Sequence, residues 1–385
     1  MRRRRILLLT SSATVGLAGC TTARERVGDI RRSPPERRVA PDWRPEQGMW
    51  AERDYGPQKC RHNPHSTAPR TEPSIDWQRD LDEALSDGWL VVADDTVYLA
   101  TRHRLWALDA NDGELRWEHH IDGSAGLKYI DGRLYQLNWD LQAPELVARS
   151  PDGDEQWRTT VSQQIRGVHE QNGYVFVAGR NRYWVLHADT GQIVRERDDW
   201  VRNMASAGDS LYAASSGILV RYDVDGRTLE ERWRAQSEYP TESGQPVIIE
   251  DQICDLQYQP SADDGDVVLY SSAGEKRHRI DLDYRPYRLT VTENGLIVSP
   301  SATSDGPLLA IQSDGSQRWT ADVSGHASAI AANETVYAGY PLVALDVESG
   351  ERLWKQDSIR PVQLAATDST LYAVTGDSRL VALRE

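Results

Sequence analysis

From about residue 90 onward, short apolar runs alternate with turn formers in units of about 40 residues, the period of a repeat architecture. In every unit a turn signal precedes an aliphatic residue, usually followed by an aromatic one. The pairs are Val97-Tyr98, Leu134-Tyr135, Val175-Phe176, Leu211-Tyr212, Ile253-Cys254, Leu296-Ile297, Val336-Tyr337 and Leu371-Tyr372. Their second members are spaced 37, 41, 36, 42, 43, 40 and 35 residues apart. Ahead of the pairs lie Asp94-Asp95, Asp131-Gly132, Asn172-Gly173, Gly208-Asp209, Asp251, Asn294-Gly295, Asn333-Glu334 and Asp368. Asn, Asp and Gly tolerate positive φ, so these positions predict hairpin turns.

A second column follows each pair. Ala107-Leu108-Asp109 leads to Asp112-Gly113 and Trp117, and Ala344-Leu345-Asp346 leads to Ser349-Gly350 and Trp354. Altered copies end at Trp157, Trp233 and Trp319, while Arg195 and His278 take the Trp slot in two degenerate units. Each unit therefore reads as a four-stranded antiparallel blade whose last strand carries the Trp. The final unit stops at Glu385 without that strand, and a spare copy, Ile75-Asp76-Trp77-Gln78-Arg79, precedes the first unit. Trp77 lies 40 residues before Trp117, in phase. The expected fold is all-β: an eight-bladed β-propeller over 74–385, closed by an N-terminal strand that pairs with the C-terminal blade. Closure removes edges that would otherwise template aggregation.

The pattern Ala-x-Asp-x3-Gly-x3-Trp, intact at 107–117 and 344–354, resembles the tryptophan-docking motif of the pyrroloquinoline-quinone (PQQ)-type propellers. In that family the Trp ties blades together, which implies blade-docking roles for Trp77, Trp117, Trp157, Trp233, Trp319 and Trp354. The resemblance covers about 45–385. Trp50, Arg53-Asp54, Asn63-Pro64, Pro69, Pro73 and Trp77 are also similar to the lead-in of haloarchaeal members. It points to BamB-like lipoproteins, non-catalytic scaffolds of outer-membrane protein assembly; the haloarchaeal likeness implies an archaeal source without such a membrane, so only the scaffold idea is expected to carry over.

Residues 1–19 read as an address and not as fold. Four Arg precede an apolar run, and Arg3-Arg4-Arg5-Ile6-Leu7 fits a twin-arginine export signal with Arg3 and Arg4 as the pair. Leu17-Ala18-Gly19-Cys20 resembles a lipobox: small residues for a peptidase cleft, then a thiol to carry lipid. Cys20 is the expected lipid attachment, and two acyl chains there would give stable anchoring. The alternative is a plain cleavable signal with an incidental Cys. Residues 20–73 hold eight of the 18 prolines and no period, which predicts a tether and an extended lead-in wrapping the domain. The expected location is the extracytoplasmic face of the cell membrane.

Net charge is −15, and removing the first 19 residues, with four Arg and no acid, leaves 40 basic and 59 acidic groups. Such a surface repels phosphate backbones and argues against nucleic acid. Only Lys59, Lys128, Lys276 and Lys355 are lysines, and Asp exceeds Glu by 36 to 23. That balance suits concentrated salt, where screening shortens to about 3 Å; an ordinary acidic protein is the alternative. No run of 18 or more apolar residues marks a transmembrane helix.

Candidate chemistry is thin. Quinone dehydrogenases of this fold resemble one another in adjacent cysteines, a carboxylate and amide shell for Ca²⁺, and a catalytic Asp; this chain has three separate Cys. Asp109 and Asp346 belong to the docking motif and are expected to bond the following turn. Cys60-x-His62-x2-His65 has metal-ligand residue types but no fourth ligand in sequence. Cys60 and Cys254 are candidates for a disulfide or, since Cys254 fills an aromatic slot, for buried thiols. His119-His120, Asp198-Asp199 and Asp263-Asp264-Asp266 read as solvated charge, and the acidic insertion Ser261 to Asp266 as a rim loop for a partner. No catalytic residue, cofactor or metal is assigned. Two functions remain: a lipid-anchored scaffold binding an envelope or membrane protein, or a PQQ-dependent or sugar-active enzyme with its site over the central channel. The enzyme requires clustered, perturbed carboxylates at the channel mouth; the scaffold does not.

Overall fold

Turn residues close the hairpins as their chemistry demands. Asp94 and Asp95 both take positive φ, +49° and +55°, between strands Trp89–Ala93 and Thr96–Ala100. Asp131-Gly132 and Asn172-Gly173 do the same, the backbone of a two-residue hairpin matched to strand twist. The computed structural model describes residues 34–81, 89–123, 125–139, 142–199, 201–215, 217–237, 245–258, 263–301, 304–323 and 328–385. Arg3, Arg4 and Cys20 lie outside the described residues. Residues 35–385 form one unit.

The described strands form eight sheets, each with four antiparallel strands. Blades 1 to 7 run consecutively over 89–120, 125–160, 167–197, 203–236, 247–282, 286–321 and 330–356. Blade 8 takes three strands from 361–384, and its fourth is Ser74–Asp80, antiparallel to Arg379–Arg384 with Trp77 opposite Ala382. The first strands of the blades face one another around a central channel, and those of blades 8 and 1 touch, closing the ring. Second and third strands are almost wholly buried, whereas the fourth strands alternate, as in Glu155–Thr160, because one face meets solvent.

The two sequence columns meet at one point per blade. The strand-two aromatic packs on its own blade's Trp: Tyr98 on Trp117, Tyr135 on Trp157 and Tyr372 on Trp77 all lie 5.9 Å apart between ring centroids. Each indole N–H then donates to a carbonyl of the next blade: Trp77 to Ala110, Trp117 to Pro151, Trp157 to Ala188, Trp233 to Ser272 and Trp319 to Val347, at 2.7–3.2 Å. Trp354 has no following third-to-fourth turn, since blade 8 is split, and donates instead to Pro69 at 3.1 Å. The motif glycine receives the preceding blade's indole. A Cβ on Gly191 would sit 2.4 Å from the Trp157 ring, and one on Gly113 2.6 Å from Trp77. Both also hold positive φ, so glycine is required twice over. Asp109 and Asp346 accept from the turn amides of Asn111 and Ser349, each at 2.9 Å.

The described part of the lead-in threads the ring before it reaches the outer edge at Pro69, which accepts from Trp354. Residues 35–47 cross the hairpin-turn end of the ring, where Asn172 N donates to Val39 O and a Cβ on Gly173 would meet Pro35. Residues 50–63 then enter the channel. Its walls are strand edges with unpaired backbone groups, which need partners when buried; an outer wrap would leave them unmet.

Candidate functional site

The segment 50–63 walks once around the channel, meeting the first strands in blade order. Trp50 exchanges two backbone bonds with Val92 of blade 1, and Ala51 O accepts from Tyr129 of blade 2. Pro57 O accepts from Ser206 of blade 4, Gln58 O from Ile248 of blade 5, Cys60 O from Val291 of blade 6 and Arg61 O from Ala331 of blade 7. His62–Asn63 adds a short parallel strand beside Ile330–Ala332, and Asn63 Nδ2 reaches Ala366 O of blade 8 at 2.9 Å. Blade 3 is reached by Arg37, whose guanidinium lies 2.7 Å from buried Glu170.

The plug carries charge into the interior. Glu52, Asp54, Lys59 and Arg61 are all buried. Glu52 is shared by Lys59 and, at 2.8 Å, by Lys128 of blade 2. Asp54 accepts from Arg61 Nη1 at 2.6 Å and from Gln245 at 2.9 Å. Burial alone would raise the Asp54 carboxyl, but Arg288, Arg61, Lys59 and Arg53 hold it far below the ordinary range. Desolvation pulls Lys128 down to about 8, partly opposed by Glu52. His62 is pushed down to about 4 by burial and then by His65, and His169, beside the plug, to about 4 by burial.

Above the plug the channel mouth opens into a cavity of about 270 Å³. Its one ionisable acid with a resolved shift, Asp54, is held ionised. Burial raises two carboxyls in blade 5, both away from the cavity: Asp255, to about 7 and bonded to Gln257, and Asp266, paired with Arg279.

The other candidates scatter. Cys60 is half-buried and Cys254 fully buried, both free thiols, and burial raises each. Cys60 Sγ contacts His62 O at 3.4 Å while His65 is exposed, so the three do not converge. Asp198 is exposed against Arg182 at 2.7 Å, and Asp199 accepts from Tyr222 at 3.0 Å. Asp263 and Asp264 are exposed, but Asp266 is buried on strand Gly265–Ser271 and paired with Arg279 at 3.0 Å. It is blade, not loop, which shortens the expected acidic insertion; Ser261 lies outside the described residues. His119 packs on Trp117 and its Nε2 meets Gly153 O at 3.0 Å, so it belongs to blade docking. A quinone fits this chain poorly: residues 50–63 fill the axis, and no described group of three His, Cys, Asp or Glu would hold its cation.

A family model described as "Outer membrane protein assembly factor BamB" matches residues 71–135, 122–278 and 263–385. No curated protein sequence matches the chain. Among solved structures, BamB from Moraxella catarrhalis is similar at 13% identity and TM-score 0.65, over 82% of this chain and 98% of that one. The quinohemoprotein alcohol dehydrogenase ADHIIG from Pseudomonas putida HK5 is similar at 13% identity and TM-score 0.62, over 88% and 80%. Saccharomyces cerevisiae Sqt1 follows at 7% identity and TM-score 0.59, over 81% and 96%. At these identities the likeness carries the fold, and fold alone does not choose between scaffold and dehydrogenase.

Proposed function

We propose that this chain, which belongs to the BamB-like family of PQQ-type β-propellers, works as a lipid-anchored, non-catalytic scaffold that binds an envelope or membrane protein on the extracytoplasmic side of the cell membrane. The observation that carries the reading is the plug: the axial position over which a propeller enzyme would build its site is filled by the chain's own segment 50–63. The outside offers a rigid set of turns and loops suited to partner contact. The anchor rests on Cys20, behind Arg3 and Arg4, with the lead-in entering at the blade 3 turn by Pro35.

The test is affinity capture of the anchored protein from its native membrane, beside the Cys20→Ser variant. Recovery of a defined partner protein, with the variant released from the membrane fraction, is expected. A Ser variant that stays bound removes the lipid anchor. Dye reduction on adding PQQ, Ca²⁺ and an alcohol, with a saturable rise in melting temperature, removes the scaffold reading in favour of the enzyme.

A further inference from the structure

The channel mouth is positively charged in a strongly acidic chain. Its floor and sides carry Arg53, Lys59, Lys128, Arg166 and Arg288 against two carboxylates, Glu52 and Asp54. Both carboxylates are already committed, Glu52 to two lysines and Asp54 to Arg61 and Gln245. Arg53, Arg166 and Arg288 form no ion pair with a carboxylate among the described residues, although Arg288 and Arg53 act on Asp54 through space and Arg288 Nη1 donates to Gln245 at 2.9 Å. The phenol of Tyr287 is held below its ordinary value by Arg288, aided by Arg53, against burial. Apolar groups share the lining: Trp89 and Trp139 meet edge to face at 5.4 Å, and Leu137, Ile165 and Met204 also line the cavity. Two buried donors, Trp139 Nε1 and Arg288 Nε, have no partner among the described residues, and such groups mark a place where a partner is missing.

We infer that the channel mouth binds a small organic acid: one carboxylate carried on a single ring. The reasoning is complementarity. Five cations against two carboxylates leave an excess of positive charge, and the guanidiniums offer planar forks that suit a carboxylate. Arg53 is held over the Trp89 ring at 5.5 Å, so less of its side-chain freedom is lost on binding. Aromatic walls take the ring body. The 270 Å³ volume lies just under the ~300 Å³ at which sites for drug-sized ligands begin, which limits the ligand to about one ring. The site lies above the plug and stands whether or not the exterior docks a protein.

The experiment titrates the full protein with D-glucuronate and with phenylacetate, beside their neutral twins D-glucose and phenylacetamide. Calorimetry gives affinity, and nitrogen-labelled indole resonances, assigned through Trp139→Phe, report the wall. At least one acid is expected to bind with Kd of about 1 mM and move the Trp89 and Trp139 signals. Its neutral twin should bind at least about tenfold more weakly, the worth of one charged hydrogen bond. Arg53→Gln/Arg166→Gln should weaken the acid by at least about tenfold at unchanged melting temperature. Arg166→Gln alone, at an exposed position, serves if the double variant unfolds. Failure of both acids to move either indole, equal binding of acid and twin, or unchanged affinity in the folded variant would each overturn the site.

Discussion

Blades 6 and 7 are joined twice, by different chemistry. At the outside, Trp319 lays its ring on Gly350 and donates to Val347 O at 3.0 Å. At the axis, the same two blades are bridged by successive carbonyls of Cys60 and Arg61, and Arg61 Nε donates to Ala329 O at 2.9 Å. The outer joint is an apolar ring with one neutral hydrogen bond, copied from blade to blade. The inner joint is a single segment, used once, that brings ion pairs where water is excluded. Burial of an indole is favourable by itself. Burial of an ion pair is favourable only while both partners stay. The belt should therefore tolerate losses one blade at a time, whereas the axis should fail at single charges.

The largest effect tests whether the belt needs closure. Deleting residues 74–80 removes Trp77 and exposes the Arg379–Arg384 edge. A buried Trp alone is worth about 3–5 kcal/mol, a large share of a typical ~5–15 kcal/mol. We expect no cooperative melting transition; an unchanged transition would show that blade 8 is complete without its borrowed strand. Next, Asp54→Ala leaves Arg61 buried with no carboxylate and should cost about 3–5 kcal/mol. Asp54→Ala/Arg61→Met should recover a large part in the same thermal melts. A loss below about 1 kcal/mol for the single variant would mean that water reaches the pair and that the axis is no different from the surface.

These contrasting joints are unequally legible in the sequence. Blade number, turn positions, the docking Trp set and the borrowed strand all follow from residues that recur, since recurrence separates a packing role from chance. The axis occurs once. Glu52-Arg53-Asp54, Lys59 and Arg61 sit in a proline-rich stretch whose alternating charge is what a solvated segment also shows, so the stretch reads as an extended lead-in and gives no sign of the channel it enters. A signal is present all the same: two of only four lysines, Lys59 and Lys128, converge on the same carboxylate. Lys128 stands on a first strand, Ala125–Ile130, that is otherwise buried or apolar. The channel-mouth arginines carry no such signal, because 53, 166 and 288 come together only when the ring closes.

Acid separates the two regions by titration. His62 and His169 lie in or against the plug with folded values of about 4, below the ordinary 6.5. Between about 6.5 and 4 the unfolded chain binds protons that the folded chain refuses, so stability is lost as pH falls through that window. Asp255 acts oppositely: raised to about 7, it favours the folded state at low pH and loses that contribution as pH rises from about 4 to 7. Asp266, also raised by burial, acts with Asp255 but is held by its pair with Arg279, so the two histidines are expected to prevail and leave a net loss in acid. Melting temperature should fall from pH 7 to pH 4.5, and more steeply in Asp255→Asn, which also should melt higher than the parent at pH 8. A flat profile in both proteins would mean that His62 and His169 are solvated and the plug is open.

The smallest effect comes from filling a gap in the belt. Blade 3 carries Arg195 in the Trp slot, opposite Val185. The glycine it faces, Gly226 of blade 4, has φ +54° and nothing within 4 Å of where a Cβ would stand, whereas a Cβ on Gly191 would meet an indole at 2.4 Å. Arg195→Trp should lay a ring over that open turn. Because the Gly226-Arg227 turn joins Ile218–Asp225 directly to Thr228–Gln236, it is tighter than the motif turns and the indole will bury only in part. A gain of about 1 kcal/mol is expected, within the range of cavity-filling changes, or about 2 °C in melting temperature. His278→Trp in blade 5 supplies the contrast. There Ile280 already lies 3.7 Å from the corresponding Gly315 position, and a second large side chain would overpack it. Arg195→Trp should therefore raise the melting temperature while His278→Trp leaves it unchanged or lowers it. If both variants stabilise equally, the gain comes from general surface hydrophobicity and the blade-by-blade docking belt loses its claim to be the repeating joint.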